Sequence, residues 1–112
     1  MEYMLLIHGD EAAWASKPEA ERERELKRQL DFERRYRVVR GQEIRPSDEA
    51  ATVRLNGGTP TVSDGPFVKT DEQLGGYYIL ACESRDEALT AASELAELVG
   101  PEWRAIELRP LG

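Results

Sequence analysis

Two stretches of this chain, Tyr3–His8 and Gly76–Cys82, are mainly apolar on both of their faces, and this limits the fold more than any other feature. Side chains alternate across a strand, so Tyr3, Leu5 and Ile7 form one face of the first stretch and Met4, Leu6 and His8 the other. Both faces need cover. The remaining sequence offers only two long helical segments, enough for one layer over one face of a sheet. The opposite face is therefore expected to meet a partner subunit or a barrel interior. Both strands belong in the middle of the sheet.

The other elements follow in order. Gly9–Ala15 reads as a short loop or helical turn, with Trp14 folding back over the end of the first strand. Ser16-Lys17-Pro18-Glu19 has the form of a capping box with proline in the first turn, which predicts a helix from about Lys17 to Val39. Leu26, Leu30, Phe32, Tyr36 and Val39 occupy its apolar half, while Glu21/Arg24, Glu23/Lys27 and Asp31/Arg35 lie at pairing distance on the charged half. Acids early and Arg34, Arg35, Arg37 and Arg40 late compensate the helix dipole. Gly41 is the expected stop, and Glu43-Ile44-Arg45 before Pro46 a short edge strand.

Ala51–Leu55 and Thr59–Ser63 flank Asn56-Gly57-Gly58, a hairpin signature because asparagine and glycine accept the positive φ angles of tight turns. Ser84-Arg85-Asp86-Glu87 repeats the capping box and opens a helix through Val99, with Ala88, Ala92, Leu95 and Val99 as its buried stripe and Ala91 and Leu98 alongside. Gly100-Pro101 ends it, and Trp103–Arg109 forms a last strand. The pattern is that of an α+β domain, a ferredoxin-like βαββαβ with an inserted β-hairpin.

Between the hairpin and the second apolar strand lies Asp64-Gly65-Pro66-Phe67. Pro66 lacks the amide a returning strand needs and biases Gly65 away from helical angles, so a shaped loop is expected. Asp64 is placed to accept from amides just ahead of it, Gly65 to take angles closed to other residues, and Phe67 to plug the loop onto a core. Gly75-Gly76 permits close approach of backbone or ligand.

Three motifs in order, Glu2 to Asp10, Asp64-Gly65-Pro66-Phe67 and Gln73-Leu74-Gly75-Gly76-Tyr77, resemble the YCII-related, or DGPF-domain, family over nearly the whole chain, Tyr3 to about Pro110. The resemblance implies a ferredoxin-like domain that dimerises in the manner of dimeric α+β barrels. It also implies an Asp-His pair as active site, and a genomic link to extracytoplasmic-function sigma factors. This chain departs from the family pattern after the tetrad, with Lys69 and Asp71 where relatives commonly carry Glu and then Lys.

The 112 residues fit one domain, residues 1–112, and a chain of this size buries only about two thirds of its unfolded surface, so association with a second copy helps it. A formal net charge of −7 opposes non-specific binding to nucleic acid or to an anionic membrane. Cys82 is the only cysteine and has no intrachain partner. The apolar run Met4–Ile7 is too short for a signal segment, so a cytoplasmic protein is the expectation.

His8 is the sole histidine and stands where the first strand runs out. A histidine exchanges protons near neutral pH, and Asp10 or Asp64 could fix its tautomer while the free ring nitrogen works on a ligand. The plainer reading is a strand-end histidine bonded to a carboxylate, and for Asp64 a loop cap. Lys69, Asp71 and Glu72 read as solvated loop residues, and Tyr77 and Tyr78 as pointing to opposite faces. The expected site takes His8 and Asp64 as the catalytic pair, with Asp10, Trp14, Gly65, Phe67 and Tyr78 around a small organic ligand. Histidines and cysteines are too few for a zinc set, and no phosphate or dinucleotide loop is present, so no metal or cofactor is expected. These features fit a cofactor-independent acid/base enzyme, or alternatively a non-catalytic ligand-binding or regulatory protein, acting as a homodimer in either case.

Overall fold

A computed structural model describes residues 1–112. Strand β1 (Glu2–Gly9) leads into the short helix α1 (Glu11–Ser16) and the long helix α2 (Glu19–Arg35). Strands β2 (Val38–Glu43), β3 (Ala51–Asn56), β4 (Thr59–Asp64) and β5 (Gln73–Ala81) follow, then α3 (Arg85–Leu98) and β6 (Trp103–Pro110). Four strands form one sheet in the order β2-β5-β1-β6, every neighbouring pair antiparallel, while β3 and β4 make a separate hairpin. This mixed arrangement is compatible with a ferredoxin-like α+β fold.

The two strands read as central are β1 and β5, and their alternation decides where the core lies. Tyr3, Leu5 and Ile7 of β1 and Tyr78 and Leu80 of β5 are buried on one face, against Phe32 of α2 and Ala88, Ala91, Ala92 and Leu95 of α3. Small residues on α3 let it lie close to the sheet. Met4, Leu6, Tyr77 and Ile79 turn to the other face, where no helix covers them and they stay only half-buried. The molecule is accordingly thin, its Cα atoms spanning 47 × 38 × 18 Å.

Several boundaries differ from the sequence reading. The α2 helix ends at Arg35, and Tyr36 turns the backbone to φ −125°, ψ 159°. Val38 and Val39, expected in the helix, begin the edge strand instead, because β5 needs a partner there: the Ala81 amide donates to the Arg37 carbonyl. Gly41 sits within β2 opposite Tyr78 and does not stop a helix; a β-carbon there would lie 2.5 Å from the Tyr78 ring. Ser16 does not cap α2. Its hydroxyl donates to the Ala12 carbonyl at the end of α1, and Pro18 precedes α2 without a side-chain cap. The Ser84 cap does form, its Oγ accepting from the Glu87 amide.

Of the helix pairs expected on α2, none forms as read: Asp31 meets Arg34, and Arg35 reaches Glu94 on α3. Leu26 and Leu30 remain 42% and 48% exposed, since α2 buries the neighbouring stripe of Glu25 and Phe32. Cys82 is buried as expected, and burial pushes its thiol up. No helix is long and apolar enough to cross a membrane.

Candidate functional site

The open face of the sheet carries the chain's histidine. His8 pairs across β6 with Ala105, so Glu107, two residues on, stands diagonally beside it on the same face. The Nε2 atom of His8 lies 2.9 Å from Glu107 Oε1, and the Arg109 guanidinium approaches the other carboxylate oxygen at 3.2 Å. The hydrogen bond from His8, followed by the charge of Arg109, holds the Glu107 carboxyl below the usual carboxylate range.

The carboxylate beside His8 is therefore Glu107, and neither aspartate considered from sequence takes that place. Asp64 ends β4, paired with Ala51 at the open end of the separate hairpin, and its exposed side chain makes no hydrogen bond or ion pair. Asp10 is occupied as the cap of α1, accepting from the Ala12 and Ala13 amides at 3.0 and 3.1 Å. Gly65 adopts φ +100°, and its amide and carbonyl are clamped by the Ala50 carbonyl and the Thr52 hydroxyl, so the loop is held by the hairpin's own start. Phe67 does not plug a core. It is 72% exposed, with the Arg54 guanidinium over its ring at 5.3 Å. Asp71 and Glu72 lie near Arg104, which also approaches Asp10, a loose and solvent-exposed group of ion pairs.

A cavity of about 500 Å³ opens on the opposite, helix-bearing side. Helix α2 forms one wall through Arg22, Leu26, Gln29, Leu30 and Glu33, residues that recur every three or four positions. The other wall is the β2–β5 edge of the sheet, with Gly41, Ile44, Gly76 and Tyr78. Trp14 of α1 and Trp103 of β6 close one end, their rings 6.0 Å apart and tilted by 46°. Glycine makes that end possible, because a β-carbon on Gly75 would collide with the Trp103 indole and one on Gly9 with the Trp103 backbone and ring. Gly75 thus admits close approach as expected, and what approaches is an indole.

At the other wall the Tyr78 hydroxyl donates to Glu33 at 2.8 Å and lies 3.3 Å from the Gln29 oxygen. Burial, then Glu33, pushes this phenol well above its ordinary value, so it stays a neutral donor. Trp14 and Tyr78 are the members of the expected site that line this cavity; His8 and Asp64 do not. Arg22, Gln29, Glu33 and Trp103 were missed from sequence. Arg22 and Glu33 fall on the same helical stripe as Leu26 and Leu30, and polar residues on an apolar stripe were the available signal.

The family model for the YCII-related domain matches residues 1–98. A curated relative, an uncharacterised protein of Rhizobium meliloti (strain 1021), is 36% identical over 116 aligned positions covering 99% of this chain and 92% of its own. The β1 strand, the hairpin with its DGPF loop, β5 and α3 all lie within the matched residues, and the chain belongs to the YCII-related family.

Proposed function

We propose that this protein binds a small organic molecule in the cavity between α2 and the β2–β5 edge, and does so as a homodimer joined through the open face of the sheet. The observation that carries the first part is the cavity itself. Its volume of about 500 Å³ falls in the range of small-molecule sites, and an apolar wall with a few convergent polar groups is the lining such sites have. Met4, Leu6, Tyr77 and Ile79, left half-buried without a covering helix, support the second part.

A thermal-shift screen of small organic molecules tests the binding. A ligand at about 100 times its Kd stabilises the folded state by about 2.7 kcal/mol. Leu30→Trp, at a position nearly half exposed, fills the cavity at little cost in stability and is expected to abolish the shift. Hits that stabilise both proteins equally would remove the cavity from consideration. Sedimentation at micromolar concentration should give the mass of two chains, and a single-chain mass would overturn the dimer.

A second reading, general acid/base catalysis, is favoured by the 2.9 Å contact between His8 and Glu107. In a dimer built on the open face this pair would lie where the two sheets meet. Because His8 holds the Glu107 carboxyl down, His8→Leu should move the Glu107 titration upward in carboxyl NMR, while Asp64→Asn leaves it in place. A Glu107 titration indifferent to His8 would dissolve the pair.

A further inference from the structure

The charged groups around the cavity differ in how far they are already engaged. Glu11 accepts from the Ser47 backbone amide and hydroxyl, and Glu33 accepts from the Tyr78 hydroxyl. Glu43 stands exposed on the edge strand. Arg22 and Lys27, in contrast, make no side-chain hydrogen bond and have no carboxylate oxygen within 4.0 Å. Arg22 is nonetheless half-buried. A guanidinium drawn partly out of water without a partner is a site for an anion, and its planar fork matches a carboxylate with two parallel hydrogen bonds.

Beside these cations lie the paired Trp14 and Trp103 rings and Tyr78. Resting on the reading of this cavity as a ligand site, we infer that its ligand is an aromatic or similarly flat organic acid. The carboxylate sits on Arg22, with Lys27 at the rim, and the apolar body lies between Leu26 and the indoles. Glu33 and Tyr78, already bonded to each other, leave the remaining Glu33 oxygen lone pairs for a donor elsewhere on the ligand.

Trp14 and Trp103 are the chain's two tryptophans, and both line the cavity, so intrinsic fluorescence reads occupancy directly. Phenylacetate and its neutral isostere phenylacetamide are titrated into the wild-type protein and into Arg22→Gln, Arg22→Lys and Arg24→Gln. The acid is expected to give a saturable change and to bind at least about 10-fold more tightly than the amide. Arg22→Gln should abolish that preference while leaving the unliganded emission and melting temperature in place. Arg22→Lys should keep part of it, and Arg24→Gln, which lies off the cavity, all of it. Equal binding of acid and amide, or a preference that survives Arg22→Gln, would overturn the carboxylate assignment while leaving the cavity as a binding site. No saturable change with either compound, where thermal-shift hits still vanish in Leu30→Trp, would overturn the aromatic acid and leave the binding site; if no such hit exists either, the cavity reading falls with it.

Discussion

Replacing Lys17 with methionine is expected to destabilise the fold by about 3–5 kcal/mol near neutral pH, the loss found when one partner of a buried ion pair is removed. Lys17 follows α1, and its ammonium meets two buried carboxylates, Glu25 of α2 and Glu102 just before β6, the latter at 2.8 Å. Glu25 and Glu102 are only 3% and 6% exposed, and Gly100 beside them leaves room that a β-carbon would take from both. Glu25 Oε2 and Glu102 Oε1 find no donor, so Lys17 is their main compensation.

Burial pushes the Glu25 carboxyl up against the opposing pull of Lys17. For Glu102, burial is the largest single effect and also works upward, but the bond to Lys17, a backbone amide and the bond to Glu25 together outweigh it and hold the carboxyl below the usual range. The bonds to Glu102 and then Glu25 in turn raise the Lys17 ammonium. The signs follow by linkage. Lys17 contributes stability that is complete below the ordinary lysine value and lost as pH rises through its raised folded value. Glu102 contributes stability above the ordinary carboxylate value that is lost as pH falls through its depressed one. Glu25, with its raised value, makes the fold less stable as pH climbs through the window between its unfolded and folded values.

In Lys17→Met the two carboxylates remain buried without a cation, so the deficit should shrink toward acid, where protonation neutralises them. Glu25→Gln added to that variant should recover part of the loss at neutral pH. Urea denaturation at about pH 5 and about pH 7 measures both effects. A Lys17→Met protein within about 1 kcal/mol of wild type at neutral pH would show that the cluster is solvated.

This cluster shows where sequence reading reached its limit. The two strands apolar on both faces did identify the middle of the sheet, since that inference needs only the alternation of Tyr3–Ile7 and Tyr77–Cys82. The hairpin was legible for the same local reason, its turn at Asn56-Gly57-Gly58 placed by residues with positive φ at Gly57 and Gly58. The end of α2 was not, because Arg34–Arg40 satisfies helix periodicity and dipole compensation, whereas hydrogen bonds from β5 draw Val38 into the sheet. Nor was the histidine's partner: Glu107 comes beside His8 only through the register between β1 and β6, which lie far apart in sequence. No sequence motif joins Lys17, Glu25 and Glu102. Their burial is a consequence of how α1, α2 and the turn before β6 converge.

Phe32→Ala is expected to cost about 3–5 kcal/mol in unfolding free energy, the range for removing a fully buried phenylalanine. Phe32 is completely buried, its ring 5.1 Å from that of Tyr36 and 5.3 Å from that of Tyr78. It is the one large side chain by which α2 holds the sheet, because Leu26 and Leu30 face the cavity. The loss therefore extends beyond stability. Tyr78, bonded at its hydroxyl to Glu33 on the next position of α2, loses the ring that backs it and can tip into the vacated space. The wall of the cavity then moves with it. Leu95→Ala provides the comparison, since Leu95 is equally buried and its removal costs about 2–5 kcal/mol, yet α3 contributes nothing to the cavity lining. Both variants should unfold at lower denaturant, but only Phe32→Ala should also weaken the fluorescence response to phenylacetate when both are compared under folding conditions. A parallel loss of binding in the two variants would mean that the cavity depends on global stability alone, and that Tyr78 is not the element through which the core shapes it.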